Sequence, residues 1–416
     1  MNNLAINFNQ HQPLVSVCIA LYNHERFLRQ TLDSVLAQTY KNLEIIVVDD
    51  GSSDGSLELL ESYARQYPSI RVFTHPNKSN KGISATTNLA VEQSRGEYLA
   101  FLGSDDVWCE DKLERQLPLF DDSQIGLVCS RSYIIDGVGQ RVPDVIIGTD
   151  VSNDPDVLVK MIRVNQIAAL TVVVRRECFE QLGLFDAAVY NDWEMWMRIM
   201  ARWKVGFLDE PLAFYRVHDY NTSIGIKPEV HLQYSTAAIL ALYHKAAEIG
   251  GLLDTPRMRA LLNLQAAYFF YYLSEETKAA EYLRAAFGID PALRNDSTGF
   301  GQWLGEQIYN GLQPLPSGKT AQDFSSWLLA NLQSVAGKQF SRRVAKWHKA
   351  HVAARVALSC HETNVQKARR KMLECFINDP SRFKDEELRW VFAKTLIGSG
   401  AITHIGDFKR RLRGHA

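Results

Sequence analysis

Residues 96–110, GEYLAFLGSDDVWCE, decide the fold. A glycine turn leads into an apolar run, Tyr98, Leu99, Ala100, Phe101 and Leu102, that reads as a buried strand, and Ser104, Asp105 and Asp106 stand at its carboxyl end. In an open α/β sheet ligands sit outside the carboxyl ends of strands, where paired carboxylates can hold a hard cation against phosphate oxygens. The same three residues can instead cap a helix beginning near Trp108, because Ser and Asp are good N-cap residues. Local chemistry leaves both readings open.

Working outward, residues 14–21 (LVSVCIAL), 43–48 and 70–74 predict three further strands, the second running into the turn-rich segment DDGSSDGS. Between the strands, apolar residues recur at helical spacing over 25–38, 57–67 and 83–93, and another helix is expected through Leu113 and Leu117. Strand and helix in alternation, with short connections, predict an α/β fold whose mainly parallel sheet is covered by helices on both faces. After Phe120 the pattern loosens into strands at 126–135 and 170–174 with Gly, Pro and Asp-rich connections. A helix over 192–203 and two edge strands, 205–208 and 212–217, flanking Pro211 are expected beyond.

From about residue 229 strand signals nearly vanish. AEYLRAAFGIDP (280–291) resembles ARRKMLECFINDP (368–380), each a helical run closed by Asp-Pro, as in the second helix of a tetratricopeptide-type hairpin. The expected organisation is a tail, 1–12, an α/β domain, 13–228, and an all-α domain, 229–416, of degenerate hairpins.

A chain of 416 residues exceeds what a single core usually supports, which agrees with that division. No apolar run reaches the length of a membrane span, and residues 1–12 lack the apolar centre of a signal peptide, so a cytosolic location is expected. Six scattered cysteines without a CxxC pair read as reduced thiols and make a structural zinc site unexpected. Residues 1–228 carry 21 basic and 30 acidic side chains and residues 229–416 carry 25 and 17, so a net charge of −1 conceals a basic second half. Two segments, RRVAKWHKAHVAAR (342–355) and KRRLR (409–413), concentrate that charge. They fit either peripheral contact with an anionic membrane or a solvated helix face. No nucleic-acid partner is expected, and a homo-oligomer stays open.

The segments VSVCIALYNHERFL, QTYKNLEIIVVDDGSSDGS, NKGISATTNLAVEQSRGEYLAFLGSDDVW and NDWEMWMRI, in this order over residues 13–223, resemble the family 2 inverting glycosyltransferases of GT-A fold. The resemblance implies transfer of a sugar from a nucleoside-diphosphate donor, first of all a UDP-sugar, to a hydroxyl of a glycan or lipid-linked oligosaccharide in surface polysaccharide synthesis. It implies that Asp50 accepts a hydrogen bond from a uracil-type base whose pocket Ala20 and Tyr22 line; the alternative is an Asp-Gly turn with Asp50 bonded to nearby backbone. Asp106 is implied as a ligand of Mn²⁺ or Mg²⁺ bridging the diphosphate, with Asp105 facing the ribose or a metal-bound water. His218, in the ending Tyr215-Arg216-x-His218, can approach the same ion.

Asp192 aligns with the family's general base, which removes the acceptor proton; its alternative is an N-cap, and Glu194 is the competing acid. Trp193 and Trp196 can stack on acceptor rings or fill the core. Asn80, ahead of the third helix, is a further site candidate. Asn88 is a donor-side or structural polar residue, and Thr87 stands where relatives often carry Arg. Two other functions stay open from sequence: a nucleotidyltransferase making sugar nucleotides, although no Gly-rich basic loop for a triphosphate is seen, and a non-catalytic helical scaffold.

Overall fold

The computed structural model describes residues 12–152, 156–186, 191–219, 221, 227–296, 300, 321–360 and 365–378. The chain divides into two compact units, Met1–Ala266 and Ala267–Ala416. The sequence boundary was drawn at 228/229; the division by contacts falls within a later helix, Pro256–Tyr272.

The first unit is built on a mixed sheet. Its parallel part runs β3 (Ile70–Thr74), β2 (Leu43–Asp49), β1 (Val15–Leu21), β4 (Tyr98–Gly103). β1 and β2 are almost wholly buried along both faces, as expected of central parallel strands. Period-two alternation divides their side chains. Val15, Val17, Ile19 and Leu21 join Ile45, Val47, Ala100 and Leu102 in a core shared with α1 (Glu25–Leu36) and α2 (Ser56–Gln66), through Leu28, Leu32, Val35 and Leu60. On the other face Phe101 meets Phe179, Phe185 and Trp196. Each fully buried Val, Leu or Ile contributes about 1.5–3 kcal/mol.

Register then sets the site. Leu21 lies opposite Asp49, Asp49 opposite Thr74, and Ala20 opposite Gly103, so the four parallel strands end together. Their following loops form one rim, at the sheet edge where α/β proteins place ligands.

Beyond β4 the sheet turns antiparallel through β8 (Val173–Arg175), then passes to β6 (Ile125–Ile135) and β9 (Lys204–Arg216), with β5 (Val107–Trp108) outside β9 and β7 (Arg141–Ile147) paired to β6. Three expectations are corrected here. No helix begins near Trp108: Val107 and Trp108 pair with Phe214 and Ala213, and the helix α4 (Lys112–Gln116), which α5 (Val157–Arg163) and α6 (Arg176–Leu182) follow in the chain, starts too far on for Ser104, Asp105 and Asp106 to cap. The two edge strands around Pro211 are one strand, whose pairing with β6 shifts register between Leu208 and Pro211 and which lies between β6 and β5. β7 was read as connection because Pro143 and the glycines around it signal turns; as an outer strand it tolerates the proline.

From Pro228 onward the described residues are helical: α8 (Pro228–Ile249) and α9 (Pro256–Tyr272), then α10 (Glu276–Ile289), α11 (Ala321–Ala336), α12 (Lys338–Cys360) and α13 (Val365–Asn378). The two echoing segments fall on α10 and α13, although the second Asp-Pro lies outside the described residues. On α12 Val344, Trp347 and Ala350 are buried while Arg342, Arg343, Lys346 and Lys349 are exposed. Its apolar stripe is therefore already used in packing, and the cations form a solvated face. Residues 409–413 lie outside the described part. Among the described residues no helix is long and apolar enough to cross a membrane, and Cys18, Cys109, Cys129, Cys178 and Cys375 are free thiols.

Candidate active site

The rim is assembled from loops that hold one another. After β1 the chain turns at Asn23, whose φ of 51° is a left-handed conformation that Asn tolerates. Asn23 N donates to Ser52 Oγ at 3.0 Å, Ser53 N donates to Asn23 Oδ1 at 2.7 Å, and His24 N donates to Ser56 Oγ at 3.0 Å. Glu25 Oε2 accepts from Gly55 N at 3.0 Å. The loop after β1 is thus stitched to the loop after β2 by short polar side chains.

Within DDGSSDGS the two acids divide the work. Asp49 makes the turn, its Oδ2 accepting from Gly51 N and Ser52 N, both at 3.1 Å. Gly51 has φ 77°, and a Cβ there would stand 2.5 Å from Lys78 O. Asp50, buried, reaches instead to the segment before α3 (Ile83–Gln93), where its Oδ1 accepts from Lys81 N at 2.6 Å and its Oδ2 from Gly82 N at 3.0 Å. Asp50 therefore bonds backbone, as the alternative reading expected, but backbone 31 residues away rather than in its own turn. Each carboxylate oxygen keeps a further lone pair. Ala20 is half-buried, Tyr22 is 47% exposed and Asn80 is exposed, all at this rim. Asn88 bonds both ways with the Phe185 main chain, at 2.9 and 2.8 Å, which is a structural role.

The Ser-Asp-Asp loop is held from three sides. Thr31 Oγ1, on α1, lies 2.8 Å from Asp106 O and 3.0 Å from Ser104 O, and donates to this carbonyl pair. Arg216, at the end of β9, is buried; its Nε donates to Asp105 O at 2.6 Å and its Nη2 to Gln30 Oε1 at 2.6 Å, with the guanidinium over the Phe27 ring. Arg216 N donates to Asp106 Oδ1 at 2.8 Å. Burial pushes the Asp106 carboxyl well above the usual range, neighbouring Asp105 adds to this, and Arg216 opposes it.

Asp105 faces the other way. His218 Nε2 lies 3.0 Å from its Oδ2, and Asn221 Nδ2 donates to the same oxygen at 3.3 Å. His24 Nδ1 lies 2.8 Å from Ser104 Oγ, and its ring meets that of His218 edge-on with centroids 5.7 Å apart. Burial lowers the His24 imidazole, Asp105 opposing, and so favours its neutral, lone-pair-bearing form. Among the described residues His24, Asp105 and His218 offer ligand atoms within 4.8 Å of one another, a set that could hold a metal ion. The sequence expectation gave the ion to Asp106 and His218, with Asp105 facing the ribose or a metal-bound water; here Asp105 lies with His218 and His24, while Asp106 Oδ1 is turned to the Arg216 amide.

On α7 (Asn191–Met200) Asp192 is half-buried, and its Oδ2 accepts from Asn165 Nδ2 at 3.0 Å. Burial pushes its carboxyl up to about 6, against the pull of the Trp193 amide and Asn165. Glu194 is only 1% exposed and 2.8 Å from Arg198 Nη2, a close ion pair in which neither carboxylate oxygen gains a well-directed hydrogen bond. Burial raises it to about 7. Arg198 in turn donates to Leu182 O and Leu184 O, so Glu194 belongs to the packing beneath α7 and not to a solvent-facing site. Trp193 is buried with Nε1 donating to Met161 O at 2.6 Å, and Trp196 lies in the aromatic cluster; both are core, not platforms for a sugar.

His24, Thr31, Gln30, Asn165 and Asn221 were not singled out from sequence. His24 alone carried a usable signal, since it lies three residues past the end of a central parallel strand.

Residues 16–180 match the profile of glycosyl transferase family 2. An uncharacterized glycosyltransferase of Haemophilus influenzae is 31% identical over 215 residues, covering 51% of this chain and 83% of the relative. A putative teichuronic acid biosynthesis glycosyltransferase of Bacillus subtilis is 30% identical over 207 residues, covering 50% and 80%. A UDP-Glc:alpha-D-GlcNAc-diphosphoundecaprenol beta-1,3-glucosyltransferase of Escherichia coli is 29% identical over 211 residues, covering 49% and 78%. With paired acids and a histidine gathered where parallel strands end, and relatives matched over most of their length, the chain belongs to glycosyl transferase family 2, its first unit having the GT-A fold.

Proposed function

We propose that this protein is a metal-dependent inverting glycosyltransferase that moves a sugar from a UDP-linked donor to a hydroxyl of a glycan or lipid-linked oligosaccharide. The observation that carries the proposal is the approach of Asp105 and His218 at the carboxyl end of β4, beside the loop after β1. A carboxylate with an adjacent imidazole fits Mn²⁺ better than Mg²⁺. Asp105 and His218 would hold that ion, which when bound supplies positive charge toward a diphosphate leaving group. The donor named for the Escherichia coli relative, and its diphosphoundecaprenol-linked acceptor, support UDP and a lipid-linked acceptor.

The chain's own groups do the rest. Asp50, fixed by the Lys81 and Gly82 amides, presents its remaining lone pairs to a uracil imide N–H, with Ala20, Tyr22 and Asn80 around the nucleotide. Asp192 removes the acceptor proton as the hydroxyl oxygen attacks the anomeric carbon opposite the leaving group. A carboxyl raised to about 6 is mostly ionised at neutral pH yet a stronger base than an ordinary aspartate. The helices that follow Pro228 position the acceptor or mediate assembly in this reading.

The test is a screen of UDP-, GDP- and dTDP-sugars for hydrolysis or transfer with Mn²⁺, with Mg²⁺ and with EDTA, followed by NMR of the product anomer. Metal-dependent turnover of a UDP-sugar with inverted configuration supports the proposal. Equal turnover in EDTA, or retained configuration, refutes it.

A further inference from the structure

The loop after β1 delivers an imidazole to the acid loop. His24 is fixed at its backbone by Ser56 Oγ and at its ring by Ser104 Oγ, 2.8 Å from Nδ1, and its neighbour Asn23 is tied to Ser52 and Ser53. The ring stands edge-on to His218 and to Phe27, with centroids 5.7 and 5.8 Å away. Its ligand atom falls within 4.8 Å of those of both Asp105 and His218. Two imidazoles and one carboxylate converge here from three separate loops, on an Asp105 oxygen that His218 and Asn221 already approach, and a shared cation accounts for all three side chains at once.

Resting on the nucleotide-sugar reading above, we infer that His24 is a third protein ligand of the donor-site cation, completing a two-histidine, one-carboxylate set that takes Mn²⁺ or a similar first-row ion over Mg²⁺. Mg²⁺ prefers oxygen ligands and sheds water reluctantly, whereas imidazole nitrogen suits the first-row transition ions. Three protein ligands also leave coordination positions for oxygens of a bound diphosphate. Ser104 orients the His24 ring and is a positioning residue, as partners of metal-bound histidines commonly are.

The experiment uses the full chain and MnCl₂, with and without UDP. Electron spin-echo modulation of bound Mn²⁺ should show two imidazole nitrogens in the wild type and one in His24→Asn. That variant keeps a polar partner for Ser104, and its thermal melting reports whether the fold is intact. Its Mn²⁺ affinity should fall about tenfold or more, with Mg²⁺ affinity, measured by competition, changing less than about twofold. A single nitrogen in the wild type, or a signal and an Mn²⁺/Mg²⁺ ratio that His24→Asn leaves unchanged, overturns the inference. Failure of the nucleotide reading registers separately: UDP would not bind, while a two-nitrogen signal from Mn²⁺ alone would still support the ligand assignment.

Discussion

The main-chain amide of Arg216 donates to Asp106 Oδ1 at 2.8 Å, and this bond separates the duties of two adjacent acids. Asp106 closes the loop onto β9, leaving Asp105 to face His218. Asp105→Asn should therefore weaken Mn²⁺ binding and lower transfer about 10²–10³-fold, the scale of losing an electrostatic contact to developing charge. Asp106→Ala should instead destabilise the fold by about 1–3 kcal/mol, by orphaning a buried N–H, and Asp106→Asn should recover most of that. Denaturant unfolding and Mn²⁺ titration of the three variants check this; weaker Mn²⁺ binding in a stably folded Asp106→Asn would return the ligand role to Asp106.

The proposed base carries its own pH signature. With the Asp192 carboxyl at about 6, kcat/KM should rise through pH 6 as the carboxylate forms. Asn165 bonds the ionised form and lowers the value, so Asn165→Ala should move that limb to higher pH. Asp192→Asn should leave UDP binding within about twofold of wild type and remove transfer. An unshifted limb in Asn165→Ala would detach the limb from Asp192.

Glu194 predicts the opposite pattern. Glu194→Ala strands the buried Arg198 guanidinium and should cost about 3–5 kcal/mol, while the folded fraction keeps near-normal kcat. Because burial raises the folded carboxyl to about 7, the unfolded chain loses its proton first as pH rises from 4.5. The contribution of this group to stability therefore declines across pH 4.5–7 and is constant above. Glu194→Gln should flatten that decline in urea titrations at several pH values, and an unchanged slope would count against it.

Gly51→Ala should destabilise by about 1–3 kcal/mol, since the left-handed φ and the Lys78 carbonyl both resist a Cβ. Displacing Lys78 disturbs the segment whose amides hold Asp50, so UDP affinity should fall with stability. Isothermal titration beside thermal melting tests the pairing; a fully stable variant would deny the strain.

How much of this was legible in sequence follows the range of the forces involved. β1 through β4 and α1 through α3 were placed almost to the residue, because buried β-branched runs and helical spacing are local signals. β5, β7 and the continuity of β9 were not, since Val107–Trp108 is a strand only through Phe214 and Ala213, more than a hundred residues away. The site divided in the same way. The strand-end acids announced themselves, whereas which acid faces outward is set by a distant amide, and His24 offered only its place three residues past β1. For Trp193 the sequence left a sugar platform and a core position both open; burial and a bond to Met161 O make it core.

The seryl and asparaginyl stitches between the loops after β1 and β2 have a consequence for binding. Loops of this composition, left separate, would have to order around a nucleotide, at the expense of affinity. Cross-linked through Ser52, Ser53 and Ser56, they have already lost that freedom when the chain folds. In the proposed reaction a donor would meet a finished wall on this side, so its arrival should be limited by encounter rather than by closure.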